Sequence, residues 1–187
     1  MKVTPLKFAD VKLIEPQVFE DDRGYFFEIF NQKKFNELVD RDVHFVQDNQ
    51  SKSKKGVIRG LHYQRKPFAQ GKLVYVICGE IFDVVVDIRP SSATFGQHLS
   101  YILSADNKKQ LWIPEGFAHG FQALSDQTVV AYKATTFYNK NYEACLSFDD
   151  PNLNIEWPLK QRFISHKDLN GLSIKHLEQP IIISKST

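Results

Sequence analysis

The sequence predicts a mainly β protein, an antiparallel jelly-roll barrel or sandwich with short peripheral helices. Three observations lead there. Apolar residues recur mostly with the period of a strand, short apolar runs alternate with brief polar or Gly-containing stretches, and 42% hydrophobic with 13% aromatic content in 187 residues fills one core.

Taken in order, VKLIEPQVF (11–19) and GYFFEIF (24–30) read as strands, rich in Val, Ile and Phe. NQKKFNELVD (31–40) is the one good helix, because Phe35, Leu38 and Val39 share a face at helical spacing. GVIRGLHYQ (56–64) leads into the most strand-like part of the chain, but its glycines leave the relative facing of Arg59 and His62 open. The run KLVYVICGEIFDVVVDIR, Lys72 to Arg89, reads as two strands joined by a tight turn at Gly79-Glu80. Further strands follow at QHLSYILS (97–104), KQLWIP (109–114), GFAHGFQAL (116–124) and TVVAYKATTFY (128–138). In the last run Val130 and Tyr132 share parity, as do Ala134 and Thr136, with Tyr138 further along. After Trp157 the chain is irregular, with a weak helical stretch around SHKDLNGL. No repeat or low-complexity linker interrupts it, so 1–187 reads as one domain: an N-terminal arm to about 50, a barrel core over about 51–150 and a tail over 151–187.

Composition excludes several function classes. The net charge is +2 and SKSKK (51–55) is the one basic cluster, too weak a footprint for a nucleic-acid groove but compatible with a small anionic ligand. The start, MKVTPLKFAD, has no apolar run of signal length, and no window reaches the roughly 18 to 20 apolar residues of a membrane span. Cys78 and Cys145 have neither metal-type spacing nor the look of a disulfide framework, so a cytoplasmic protein is expected.

Polar side chains facing into such a barrel carry information, because each costs about 1 to 3 kcal/mol unless paired or wetted by a site. A metal centre needs several imidazoles and a carboxylate converging on one ion. Here Gln64 stands where the second histidine of a His-x-His pair belongs, and His62 with His119 alone makes a poor site. No metal or other cofactor is therefore expected.

The segments FEDDRGYFFE, QDNQSKSKKGVIRGLHYQ, QGKLVYVICGEIFDVVVDIR, LWIPEGFAHGFQAL, AYKATTFY, DDPNLNIEWP and SHKD occur in one order over nearly the whole chain. In that order and at those separations they resemble the dTDP-4-dehydrorhamnose 3,5-epimerases, metal-free members of the cupin superfamily. The resemblance implies a cupin-like jelly roll and a nucleotide-sugar substrate whose C4 ketone acidifies the hydrogens on C3 and C5. Each proton is removed and one returned to the opposite face. The resemblance assigns His62 as the base, a role that a neutral imidazole suits at cytoplasmic pH. It assigns Asp168 as the carboxylate that fixes the imidazole tautomer, Lys72 as the stabiliser of the enolate oxygen, and Tyr132 as the acid on the other face. An adjacent cation is expected to lower the Tyr132 pKa enough to help transfer.

The same resemblance implies that Arg59 grips the diphosphate and that His119, Glu143 and Lys167 contact substrate. Arg23, Glu28, Gln47, Asp48 and Asn49 would hold the thymidine end, with Phe19, Phe26 and Tyr138 as aromatic surface for the base. A homodimer is implied, the N-terminal arm of each subunit reaching the other's site; no nucleic-acid or membrane partner is expected. Taken singly, each residue also has a plainer reading: a histidine satisfied by backbone, a solvated lysine, a Ser-x-x-Asp helix cap, an aromatic in the core. Four alternatives stay open: a single-carbon epimerase, a ketoisomerase, a metal-dependent oxygenase or isomerase on the same barrel, and a non-catalytic nucleotide-sugar-binding jelly roll.

Overall fold

The computed structural model describes residues 1–177. Its strands and helices are β1 (Lys2–Pro5), β2 (Lys12–Glu15), β3 (Val18–Asp21), β4 (Gly24–Phe27), α1 (Gln32–Val39), β5 (Gln47–Ser53), β6 (Val57–Gln64), β7 (Lys72–Cys78), β8 (Glu80–Asp87), β9 (His98–Ser104), β10 (Gln110–Ile113), β11 (Phe117–Ala123), β12 (Thr128–Ala134), β13 (Glu143–Cys145), β14 (Phe163–Ile164) and α2 (His166–Leu169), then a 3₁₀ turn at Ile174–Leu177. One six-stranded sheet runs β1-β2-β10-β7-β12-β5, and the other follows β13-β6-β11-β8-β9 with short β14 parallel to β6. All other pairings within these sheets are antiparallel, and the two sheets face each other as a jelly roll.

Strand alternation divides the side chains into three apolar layers. Val74, Val76 and Val130 of the first sheet meet Ile81, Val85, Leu103 and Phe121 of the second inside the barrel. On the outer face of the second sheet, Ile58, Val84, Val86 and Ala118 are covered by Phe148, Leu153 and Trp157 from the chain after β13. The outer face of the first sheet, Ile14, Leu73 and Trp112, is covered by Phe35 and Val39 of α1. That helix starts where Asn31 accepts a hydrogen bond from the Lys34 N–H and ends at Asp40 in the left-handed region.

Several elements differ from the sequence reading. The 11–19 run breaks at Pro16, which has no N–H for a ladder, into β2 and β3. The 128–138 run leaves the sheet after Ala134, so Tyr138 lies on a loop and its parity has no meaning. β5, QDNQSKS, escapes a search for apolar alternation because its partly buried positions, Gln47, Asn49 and Ser51, are themselves polar. Within the segment read as an N-terminal arm, β1 and β2 belong to the first sheet, and the β3–β4 hairpin pairs with neither sheet. Residues 178–187 of the segment read as the tail lie outside the described residues.

Candidate active site

One end of the barrel interior is apolar and the other is polar, and the polar end begins with a bulge in β6. His62 pairs with His119 on β11, but Arg59 pairs with Phe121, so three steps on β6 match two on β11. The extra residue puts Arg59 and His62 on the same face despite their odd separation. Gly60 makes this possible: its φ is +130°, and a Cβ there would sit 2.5 Å from the Gly120 Cα on the neighbouring strand.

His62 and Asp168 form a close acid–base pair. Imidazole Nε2 lies 2.6 Å from Asp168 Oδ1, and the carboxylate is almost fully buried. Burial opposes ionisation of Asp168, but the His62 hydrogen bond and charge, the Gly60 N–H and Ser165 outweigh it and hold the carboxyl below its ordinary range. An ionised carboxylate only accepts, so Nε2 carries the proton it donates, and Nδ1 keeps a lone pair. Ser165 caps the short helix α2 that delivers Asp168. The cleft beside the pair, about 360 Å³, is lined by Arg59, His62, Phe163, Ser165, Lys167 and Asp168 among others.

Lys72 is buried at the start of β7, its amine 3.4 Å from the His62 carbonyl and 6.0 Å from the centre of the Tyr132 ring. Burial lowers its pKa to about 8, against the opposing charges of Asp83 and then Glu143. Tyr132, which packs against the interior apolar cluster, departs from expectation. Burial and then the Glu143 charge push its hydroxyl above the usual range, outweighing Lys167 and Arg59, so the phenol is firmly protonated rather than loosened by a cation.

A second imidazole–carboxylate pair lies deeper: His119 Nε2 is 2.8 Å from Asp83 Oδ2, both groups are buried, and Asp83 Oδ1 has no partner among the described residues. Asp83 is a residue the sequence reading missed. Its signal was the alternation in GEIFDVVVD, which puts this carboxylate on the inward face with Ile81 and Val85. Cys145, directly across from His62 in the β13–β6 register, was likewise passed over as a site residue.

The remaining candidates divide into two groups. Glu143 accepts hydrogen bonds from Lys167 Nζ, which lines the cleft, and from the Tyr138 hydroxyl. Gln47 and Asn49 bond each other, and Gln47 accepts from the Tyr138 N–H. Asp48 alternates to the opposite face of β5, where it pairs with Lys133. Phe19, Arg23, Phe26 and Glu28 do not line the cleft: Arg23 pairs with Asp21, Glu28 with Lys34, and the two rings stand 56% and 71% exposed on or beside the hairpin.

The chain can now be set beside known proteins. The family model described as dTDP-4-dehydrorhamnose 3,5-epimerase matches residues 5–176. The dTDP-4-dehydrorhamnose 3,5-epimerase of Shigella flexneri is 57% identical over 171 residues, 91% of this chain and 94% of that one. The crystal structure of the Legionella pneumophila dTDP-6-deoxy-D-glucose-3,5-epimerase in complex with dTDP-4-keto-L-rhamnose superposes with a TM-score of 0.90 at 47% identity, covering 93% of both chains. A 3'-monoepimerase from Streptomyces bikiniensis, in complex with dTDP-quinovose, gives a TM-score of 0.88 at 29% identity over 93% of this chain and 88% of that one.

Proposed function

The chain belongs to the dTDP-4-dehydrorhamnose 3,5-epimerase family, and we propose that it epimerises C3 and C5 of dTDP-4-dehydro-6-deoxy-D-glucose with His62 as the base. The observation that carries this reading is the 2.6 Å His62–Asp168 contact at the mouth of a barrel that also holds a buried Lys72 and a partly buried Tyr132. With Nε2–H donating to Asp168, Nδ1 accepts the carbon-bound proton, and the imidazolium so formed is stabilised by the carboxylate behind it. The Lys72 ammonium is placed to stabilise the enolate oxygen as charge develops there. Tyr132, kept protonated, is the acid that returns a proton to the opposite face of the ring.

Arg59, whose guanidinium already donates to Ser53 and to the Lys52 carbonyl, presents a fork suited to a diphosphate. Tyr138, Gln47 and Asn49 are assigned to the nucleotide end. The exposed Phe19 and Phe26 rings support a homodimer in which each hairpin reaches its partner's site. A cytoplasmic location belongs to the same proposal; among the described residues no helix is long and apolar enough to cross a membrane.

His62→Asn and Asp168→Asn test the dyad in an assay coupled to a reductase that consumes the L-sugar. Loss of general-base catalysis lowers kcat by about 10² to 10⁴; wild-type rates in both variants would remove the dyad from the mechanism. The 3'-monoepimerase shares the barrel, so a single-carbon reaction is the second reading, and it predicts solvent deuterium at C3 alone.

A further inference from the structure

Beside the His62–Asp168 pair lies a third group that the proposed reaction does not use. Cys145 sits opposite His62 in the β13–β6 register. Its sulfur, an imidazole nitrogen of His62 and a carboxylate oxygen of Asp168 all lie within 4.8 Å of one another. The three come from β13, β6 and α2, so they converge from three elements instead of following one another along a strand. Thiolate, imidazole and carboxylate form the mixed donor set that zinc accepts, with bonds of roughly 2.0 to 2.3 Å. Two ligands on such bonds lie between about 3 and 4 Å apart in a tetrahedral shell, so a cation parts the 2.6 Å His62–Asp168 contact and draws the Cys145 sulfur inward. The Cys145 sulfur donates to the Leu146 carbonyl, a weak bond that a metal replaces.

We propose that Cys145, His62 and Asp168 form an inhibitory site for a zinc-type divalent cation, three protein ligands with a fourth position open to the cleft. The metal-free thiol is poorly reactive: burial, followed by the Asp168 charge, raises its pKa to about 12, with Glu143 adding to the effect and Lys167 opposing it. Asp168 and nearby Glu143 supply negative charge that a divalent cation offsets, and the incoming metal displaces the thiol proton to solvent. Once bound, the cation ties up the imidazole and the carboxylate that support it, and turnover stops until a chelator removes it. The site stands on side-chain geometry alone; only the loss of turnover rests on His62 being the base.

Cobalt(II) added to the full chain tests this directly, since cysteine ligation produces a thiolate-to-cobalt charge-transfer band. The sequence holds two cysteines, Cys78 and Cys145, and both are free, so the band can be assigned by substitution. The expected result is a band kept in Cys78→Ser and lost in Cys145→Ser and Cys145→Ala. Zn²⁺ inhibition of the same proteins, reversed by EDTA, weakens by at least about tenfold when Cys145 is replaced, since even residues behind the ligands are worth that much. No band in the wild type, or a band that survives in both Cys145 variants, would overturn the site. A Cys145-dependent band with turnover unchanged at saturation would uphold the site, overturn the inhibition and count against His62 as the base.

Discussion

Asp83 shows how one buried carboxylate acts on its neighbours in the candidate site. It holds His119 by hydrogen bond and is the leading charge that opposes the desolvation of Lys72. A lysine of lowered pKa is charged below that value and neutral above it, so kcat should fall as pH rises through about 8. Asp83→Asn, nearly the same in shape, removes the opposing charge, so the alkaline limb moves to lower pH; an unmoved limb would separate Asp83 from Lys72. Tyr132→Phe keeps the ring in its apolar contacts and deletes the proposed acid. Stability is expected to stay within about 1 kcal/mol, while turnover collapses or the C5 stereochemistry changes; wild-type epimerisation at C5 would contradict this role. His62, Lys72, Tyr132 and Asp168 were legible only through their resemblance to known motifs. Asp83 was legible from alternation alone but was hidden among valines, because strand periodicity reports facing and says nothing of charge.

At the scale of elements, the β6 bulge decides whether Arg59 and His62 serve one cleft. The two glycines of GVIRGLHYQ signalled irregularity, but the register that gives the irregularity its meaning lies on β11, far along the chain. The polar strand β5 was illegible for a related reason: its half-buried positions include Gln47 and Asn49, so the period-two pattern carries no hydrophobic mark. Helix α1 was legible in full, and Phe35 fixes it to the sheet by edge contacts with Trp112 and tilted ones with Phe30 and Phe45. Phe35→Ala should cost about 3 to 5 kcal/mol in denaturant unfolding; a loss under about 1 kcal/mol would show that α1 is not anchored there.

The end of β8 makes a pH prediction. Buried Asp87 accepts from Arg89, Ser92 and Thr94, and although burial opposes ionisation, those bonds hold its carboxyl far below the ordinary range. A carboxylate of lowered pKa contributes stability that is present above its unfolded value, near 4, and is lost as pH falls below it. Asp87→Asn should flatten the acid limb of a stability-versus-pH curve and cost about 3 to 5 kcal/mol at neutral pH, the scale for breaking a buried pair. A parallel acid limb in wild type and variant would place the acid sensitivity elsewhere.

For the whole molecule, the barrel supplies the acid–base end of a site and leaves the β3–β4 hairpin apart from it. If the hairpin completes a partner's nucleotide pocket, Phe19→Ser with Phe26→Ser raises KM by up to about tenfold, the worth of an aromatic contact. It should leave thermal stability unchanged, since both rings are exposed in the single chain. Unchanged KM in a protein that sediments as a monomer would dismiss the shared site. The jelly roll was legible because many short strands left few other architectures; the assembly was not, because an exposed ring looks the same in sequence whether water or a partner covers it.

The most direct test of the central claim is proton NMR in D₂O of dTDP-4-dehydro-6-deoxy-D-glucose with the wild type and with His62→Asn. Deuterium entering both C3 and C5 with the wild type, and neither with the variant, is the predicted result. Exchange at both carbons in the His62→Asn protein, or at neither in the wild type, would contradict the account.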